Sequence, residues 1–189
     1  MKKQVTIHIG EIYGSAAPVE IRTLLGSCVA VCLFDPIRNI GAMNHILLPG
    51  RADLKQFNAP ARFSINAMEL LINKMLTLGA DRHRIIAKVF GGAHMLPQIS
   101  TENGAGRRIA AFVMDFLRNE SIELVSHDLG GRLGRQVHFH TDTGDVFVRR
   151  VQPAQNRILW AEEEKAIPRV RREVRKSGAI TLFDSSGGK

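Results

Sequence analysis

The chain has 189 residues, 44% of them hydrophobic and 23% charged, which suits one globular domain with a sizeable core and excludes a fibrous or wholly disordered protein. Its formal charge of +8 and pI of about 10.1 raise the question of nucleic acid, but the arginines are scattered and a single Tyr and a single Trp leave stacking on bases to Phe, so no nucleic-acid partner is expected; a basic surface equally steers toward an acidic protein. The N-terminus lacks the apolar run and cleavage site of a signal peptide, and the apolar stretches are too short to span a bilayer, so the expectation is a cytoplasmic protein without membrane insertion.

Residues 5–9 alternate and predict a first strand. Residues 10–19 read as a loop, with Gly14, Ser15 and Pro18 as breakers. Residues 21–25 return to apolar character, and Gly26-Ser27 predicts a sharp turn into Cys28-Val-Ala-Val-Cys-Leu-Phe34, a short β-branched run expected as a buried strand. Asp35-Pro36 ends that run, and Asn39 suits the turn. Residues 40–48 predict a second buried strand closed by Pro49-Gly50. The short connection makes the two a hairpin, with Cys28 and His45 on opposite arms.

Residues 51–61 read as a polar loop. Ser64 is expected to cap a helix over 64–78, in which Met68, Leu71, Ile72, Met75 and Leu76 recur at helical spacing and Gly79 supplies the stop. Residues 84–89 predict a strand running into Phe90-Gly91-Gly92-Ala93, and 101–106 a loop. Ile109, Phe112, Val113, Phe116 and Leu117 mark a second amphipathic helix over 107–118. A strand at 122–125, a turn at Leu129-Gly130-Gly131, and a hairpin of 136–140 with 146–151 around Asp142-Thr143-Gly144-Asp145 follow. Beyond about residue 161, Glu162, Glu163 and Glu164 precede a basic run from Arg169 to Lys176; Pro168 is expected to interrupt any long helix, and 185–189 to be disordered. The fold expected is a single-domain α/β (α+β) layered sandwich, a mixed β-sheet with flanking helices, over residues 1–155, followed by a charged, partly disordered tail over 156–189.

Two cysteines are present. On one strand, residues four apart lie roughly 13 Å apart, beyond the about 7 Å that a disulfide spans, so both are expected as free thiols. Cys28 follows a tight turn that presents its side chain and leaves backbone N–H groups at Gly26 and Ser27 free to form an oxyanion hole. A cysteine in an apolar run is otherwise ordinary core, which is the reading for Cys32. His45 lies in an apolar strand, where an imidazole needs a partner: either a backbone carbonyl in the core, or the Cys28 thiol, whose proton it would take. Thr23 is the candidate to orient the far ring nitrogen. A competing site is zinc at His138, His140 and Asp142, with His127 and Asp128 nearby in sequence; the bland reading is a polar hairpin edge.

The stretch from Thr23 through Leu-Leu-Gly-Ser-Cys28-Val-Ala-Val-Cys-Leu-Phe-Asp-Pro36, followed by Gly41-Ala-Met-Asn-His45-Ile-Leu-Leu-Pro49, closely resembles the signature of the CheD family of chemoreceptor glutamine deamidases. Arg62-Phe63, Asn66-Ala67-Met68, Lys88-Val-Phe-Gly-Gly-Ala93, Asp128-Leu-Gly-Gly131, Gly134-Arg135 and Thr141-Asp-Thr-Gly144 extend it over roughly residues 5 to 151. The resemblance implies a Cys–His–Thr triad. Cys28 and His45 match directly. The threonine falls in other members one residue farther from the cysteine, at Arg22, so Thr23 fills the role by a one-residue shift or a carbonyl orients His45 instead. Gly106-Arg107-Arg108 also lacks an Asn usual before the second helix. Implied are a cysteine thioester, no metal and no cofactor, receptor cytoplasmic helices as substrate, and in some bacteria a CheC-type phosphatase partner. The alternative is a non-catalytic chemotaxis adaptor that binds the same partners.

Overall fold

The computed structural model describes residues 2–47, 59–94 and 104–177; residues 51–58 of the loop read at 51–61, 101–103 of that read at 101–106, and the segment at 185–189 lie outside them, while 59–61 and 105–106 are helical and not loop. In chain order the elements are β1 (Lys3–Thr6), β2 (Ile12–Ser15), β3 (Val19–Leu25), β4 (Val29–Asp35), β5 (Ile40–Asn44), α1 (Ala59–Thr77), a short 3-10 turn (Arg82–Arg84), β6 (Ile86–Gly91), α2 (Ala105–Asn119), β7 (Glu123–Leu129), β8 (Arg135–His140), β9 (Val146–Arg150) and α3 (Pro153–Ser177). They build a five-stranded sheet in the order β2-β5-β4-β6-β7 and a four-stranded sheet in the order β1-β3-β8-β9. The pairs β1/β3 and β6/β7 are parallel and the rest antiparallel, which is the mixed α/β layered sandwich expected.

The layering follows from β4, which is buried along its whole length. Successive side chains of a strand point to opposite faces. Val29, Val31 and Leu33 therefore join Met68, Leu71, Ile72 and Met75 of α1 and Ile109, Phe112, Val113 and Phe116 of α2 in one core. Cys28, Ala30, Cys32 and Phe34 face the other way, onto Ile21 and Leu25 of β3 and Val137 and Phe139 of β8. A strand covered on both faces has to be continuously apolar, and its sequence is. Arg135 ties the two sheets at one end. It is fully buried, and its guanidinium donates to Asp128 on β7 at 3.0 and 3.2 Å and to the Gly130 carbonyl at 2.6 Å.

Three sequence expectations are corrected. The loop read at 10–19 contains β2, paired antiparallel to β5. Its Gly14 is not a breaker: a Cβ there would lie 2.7 Å from the Ala42 Cβ and 3.0 Å from Lys74 Cγ, so glycine lets α1 cross close over the sheet edge. Ser64 does not cap α1; it lies buried inside it. Pro168 does not interrupt α3, which runs through it. A proline removes a single intrahelical hydrogen bond, and Leu159 and Val170, 2% and 1% exposed, hold the helix to the domain on either side of it. The boundary drawn at 155 falls within this helix. Among the described residues no helix is long and apolar enough to cross a membrane.

Candidate functional site

Cys28 sits at the mouth of β4, one residue before the ladder begins. An isolated antiparallel bridge joins Val29 to Ile46 beyond the end of β5, through hydrogen bonds of 3.0 and 2.8 Å. Extending that register by one residue sets Cys28 opposite Leu47, with His45 two residues along on the same face. Such diagonal neighbours lie about 7–8 Å apart at the backbone, within reach of a long or aromatic side chain. The β1–β2 connection fixes the histidine backbone from the other side: His45 N–H donates to the Glu11 carbonyl at 3.1 Å, and Gly10 N–H to the His45 carbonyl at 2.9 Å.

The His45 ring is 4% exposed. Its Nδ1 lies 2.8 Å from Thr23 Oγ1, and the Thr23 hydroxyl donates its hydrogen to the Ile7 carbonyl at 2.9 Å. A hydroxyl has one proton, so Thr23 accepts from His45 and the ring carries its hydrogen on Nδ1. That leaves Nε2 with a lone pair, and among the described residues Nε2 is buried with no hydrogen-bond partner. The strand period explains why Thr23 and not Arg22 meets the histidine. Val19, Ile21, Thr23 and Leu25 face inward; Arg22 faces outward and pairs with Glu20 at 2.8 and 2.9 Å.

The glycine-rich end of β6 cradles the Gly26-Ser27-Cys28 turn from behind. Gly92 N–H donates to the Cys28 carbonyl at 2.7 Å, and Ala93 N–H to the Gly26 carbonyl at 2.9 Å. Gly91 has φ +113°, and a Cβ on it would lie 2.2 Å from the Cys28 carbonyl oxygen. Only glycine lets these backbones approach so closely. Asn44 supports the same hairpin, its side-chain oxygen accepting Val31 N–H at 3.0 Å and its amide reaching the Ala67 carbonyl at 3.4 Å.

Of the two backbone groups expected to hold an oxyanion, Gly26 is seen as an acceptor through its carbonyl, and Ser27 contributes its hydroxyl. The face of the turn toward α3 offers the Cys28 N–H. Both it and the Ser27 hydroxyl donate to one carboxylate, that of Glu163 on α3, at 3.2 and 2.6 Å. Sequence reasoning did not select Glu163; the signal was present as an acid on the apolar stripe Leu159, Glu163, Ile167, Val170. Behind it a cleft of about 550 Å³ opens between α3 and the first strands, lined among others by Ile7, His8, Leu24, His45, Glu162 and Lys165.

Burial first, and the Glu163 carboxylate second, push the Cys28 thiol well above its usual range. Burial, reinforced by His8, pushes His45 down to about 3. At neutral pH the two are therefore a thiol and a neutral imidazole with a free lone pair, the groups of a nucleophile and a general base, and among the described residues no hydrogen bond joins Nε2 to the Cys28 sulfur. Both cysteines are free. The histidines weighed as zinc ligands are engaged separately: His138 Nδ1 meets Glu20 at 2.5 Å, while His140 and Asp142 share Lys2. Among the described residues no three His, Cys, Asp or Glu side chains converge on one point.

A family model, described as CheD chemotactic sensory transduction, matches residues 47–150, more than half of the chain. The "probable chemoreceptor glutamine deamidase CheD" of Thiobacillus denitrificans is 42% identical over 176 residues, 92% of this chain and 86% of that protein. The "probable chemoreceptor glutamine deamidase CheD 1" of Shewanella oneidensis is 39% identical over 96% of this chain and 88% of its own length. The Stenotrophomonas maltophilia protein bearing the former name is 46% identical over 87% of this chain and 81% of its own.

Proposed function

The chain belongs to the CheD family, and on that footing we propose that it is a protein-glutamine deamidase that converts glutamine side chains on the cytoplasmic helices of chemoreceptors to glutamate and ammonia. The observation that carries this reading is the partnerless Nε2 of a neutral His45, oriented by Thr23 on a strand diagonal to the cysteine at the mouth of β4. His45 Nε2 takes the Cys28 proton, and Sγ attacks the amide carbon. The Cys28 N–H, with the backbone of the Gly26-Ser27 turn, stabilises the oxyanion. The C–N bond breaks as His45 returns the proton to the departing ammonia, leaving a thioester on Cys28. Water, deprotonated by His45, then releases glutamate and regenerates the thiol. The reaction uses no metal or cofactor.

The basic chain suits acidic receptor helices, and the location follows from the substrate: the reaction takes place in the cytoplasm. A CheC-type phosphatase as second partner extends the same reading. The test is peptide mapping of a purified receptor cytoplasmic fragment after incubation with the wild-type protein or with Cys28→Ala. Glutamine-to-glutamate conversion with the first and none with the second is expected. No conversion by the wild type across several receptors would sink the enzyme and favour an adaptor.

A further inference from the structure

The Glu163 carboxylate is an unusual thing to find on the buried face of α3. Its residue is 6% exposed and sits between the apolar anchors Leu159 and Val170. Among the described residues it makes no ion pair with a cation, and its hydrogen-bond donors are the Ser27 hydroxyl and the Cys28 N–H. Burying a carboxylate without a cation is unfavourable unless donors are already arranged to receive it. The nucleophile turn supplies those donors. The group they hold is chemically the one that deamidation of a glutamine side chain yields: a γ-carboxylate carried on an α-helix, one oxygen on the nucleophile's own N–H.

We propose that α3 is an internal product mimic, whose Glu163 fills the subsite for the substrate glutamine amide and closes the enzyme until a glutamine-bearing receptor helix displaces α3. This rests on the deamidase reading. Two features of the helix bear on that displacement. Two residues, Val151 and Gln152, connect it to β9, and Pro168 lacks the N–H that would bond the Glu164 carbonyl. Beyond Pro168, among the described side chains, it is held by Val170, buried in the core between the sheets, and by Arg169 reaching the Ile9 carbonyl at 2.6 Å, and α3 also lies against α1. The cleft between α3 and His45 gives the incoming helix a place to start.

Two variants test the proposal. Glu163→Ala removes the mimic; in a protein verified as folded by its thermal melt, alkylation of Cys28 by iodoacetamide and conversion of a receptor fragment should each rise about tenfold, roughly 1.4 kcal/mol. Glu163→Gln turns the mimic into a substrate. Cys28 should cleave the C–N bond of the introduced amide, release ammonia and, after hydrolysis, restore the acid, which peptide mass mapping reads; in the double variant with Cys28→Ala the amide should persist. Unchanged alkylation in Glu163→Ala, or a persistent amide in a Glu163→Gln protein that still converts receptor glutamine, overturns the mimicry and leaves the deamidase standing. Faster alkylation with no receptor conversion by any form keeps the closed site and counts against the deamidase.

Discussion

Cys28 and Cys32 lie on one face of one run of chain, and both are buried. Cys32 is inside the ladder, with Met43 on one side and Lys88 on the other. Burial raises its thiol, opposed by Lys88, and its strand neighbours leave it the role of core packing. Cys28 is one residue before the ladder. Its carbonyl is held by Gly92, while its N–H is turned toward a carboxylate instead of a strand partner. The difference lies in the backbone: where pairing stops, a donor becomes available for chemistry, and a histidine held by the next strand stands diagonal to the thiol.

This contrast can be broken in several ways. Cys28→Ala should lower receptor-glutamine conversion by roughly 10⁴-fold or more, whereas Cys32→Ala should leave the rate within about threefold and cost on the order of 1 kcal/mol of stability through the lost packing; equal losses would erase the distinction. Gly91→Ala should destabilise the fold by about 2–4 kcal/mol in denaturant titration, because its Cβ would collide with the Cys28 carbonyl at a positive φ. A Gly91→Ala protein of unchanged stability would mean that the nucleophile turn does not depend on this close approach. Thr23→Val removes the acceptor for His45 Nδ1–H and should lower kcat about 10- to 100-fold, with Thr23→Ser restoring most of it; equal kcat in the two would assign the orienting role to another group.

The smallest effect is on stability against pH. Folded His45 is held down to about 3 by burial and then by His8, against an ordinary 6.5. Between those values the unfolded chain binds a proton that the native state does not. Stability is therefore fully present above about 6.5 and falls as the pH is lowered toward 3, by up to roughly 1.4 kcal/mol per pH unit. Denaturation at pH 5 and pH 7 should show that slope in the wild type and a shallower one in His45→Gln; identical slopes would mean that His45 is not the buried neutral base described.

The hairpin that carries Cys28 and His45 was legible because its signals are local: a β-branched run, a turn at Asp35-Pro36 with Asn39 at positive φ, and a second run ending at the histidine. The two helices on the five-stranded sheet were legible from their 3.6-residue periodicity. Three features were hidden because their causes are tertiary. Gly14 reads as a breaker until α1 is seen crossing above it. Arg135 figures only in the resemblance, and nothing local in sequence announces the buried bidentate contact with Asp128 that lets it enter the core. Glu163 reads as part of a solvated acidic run until α3 is seen lying across the Gly26-Ser27-Cys28 turn, since its donors Ser27 and Cys28 are far from it in sequence.

The central claim is that Cys28 is the covalent nucleophile. It is met most directly by acid-quenching the wild-type protein during turnover of a receptor glutamine peptide and mapping the cysteine peptides by mass spectrometry. The account predicts a thioester adduct on Cys28 and none on Cys32, lost in His45→Gln. Conversion of the peptide that proceeds in Cys28→Ala, with no adduct on Cys28 in the wild type, would contradict it.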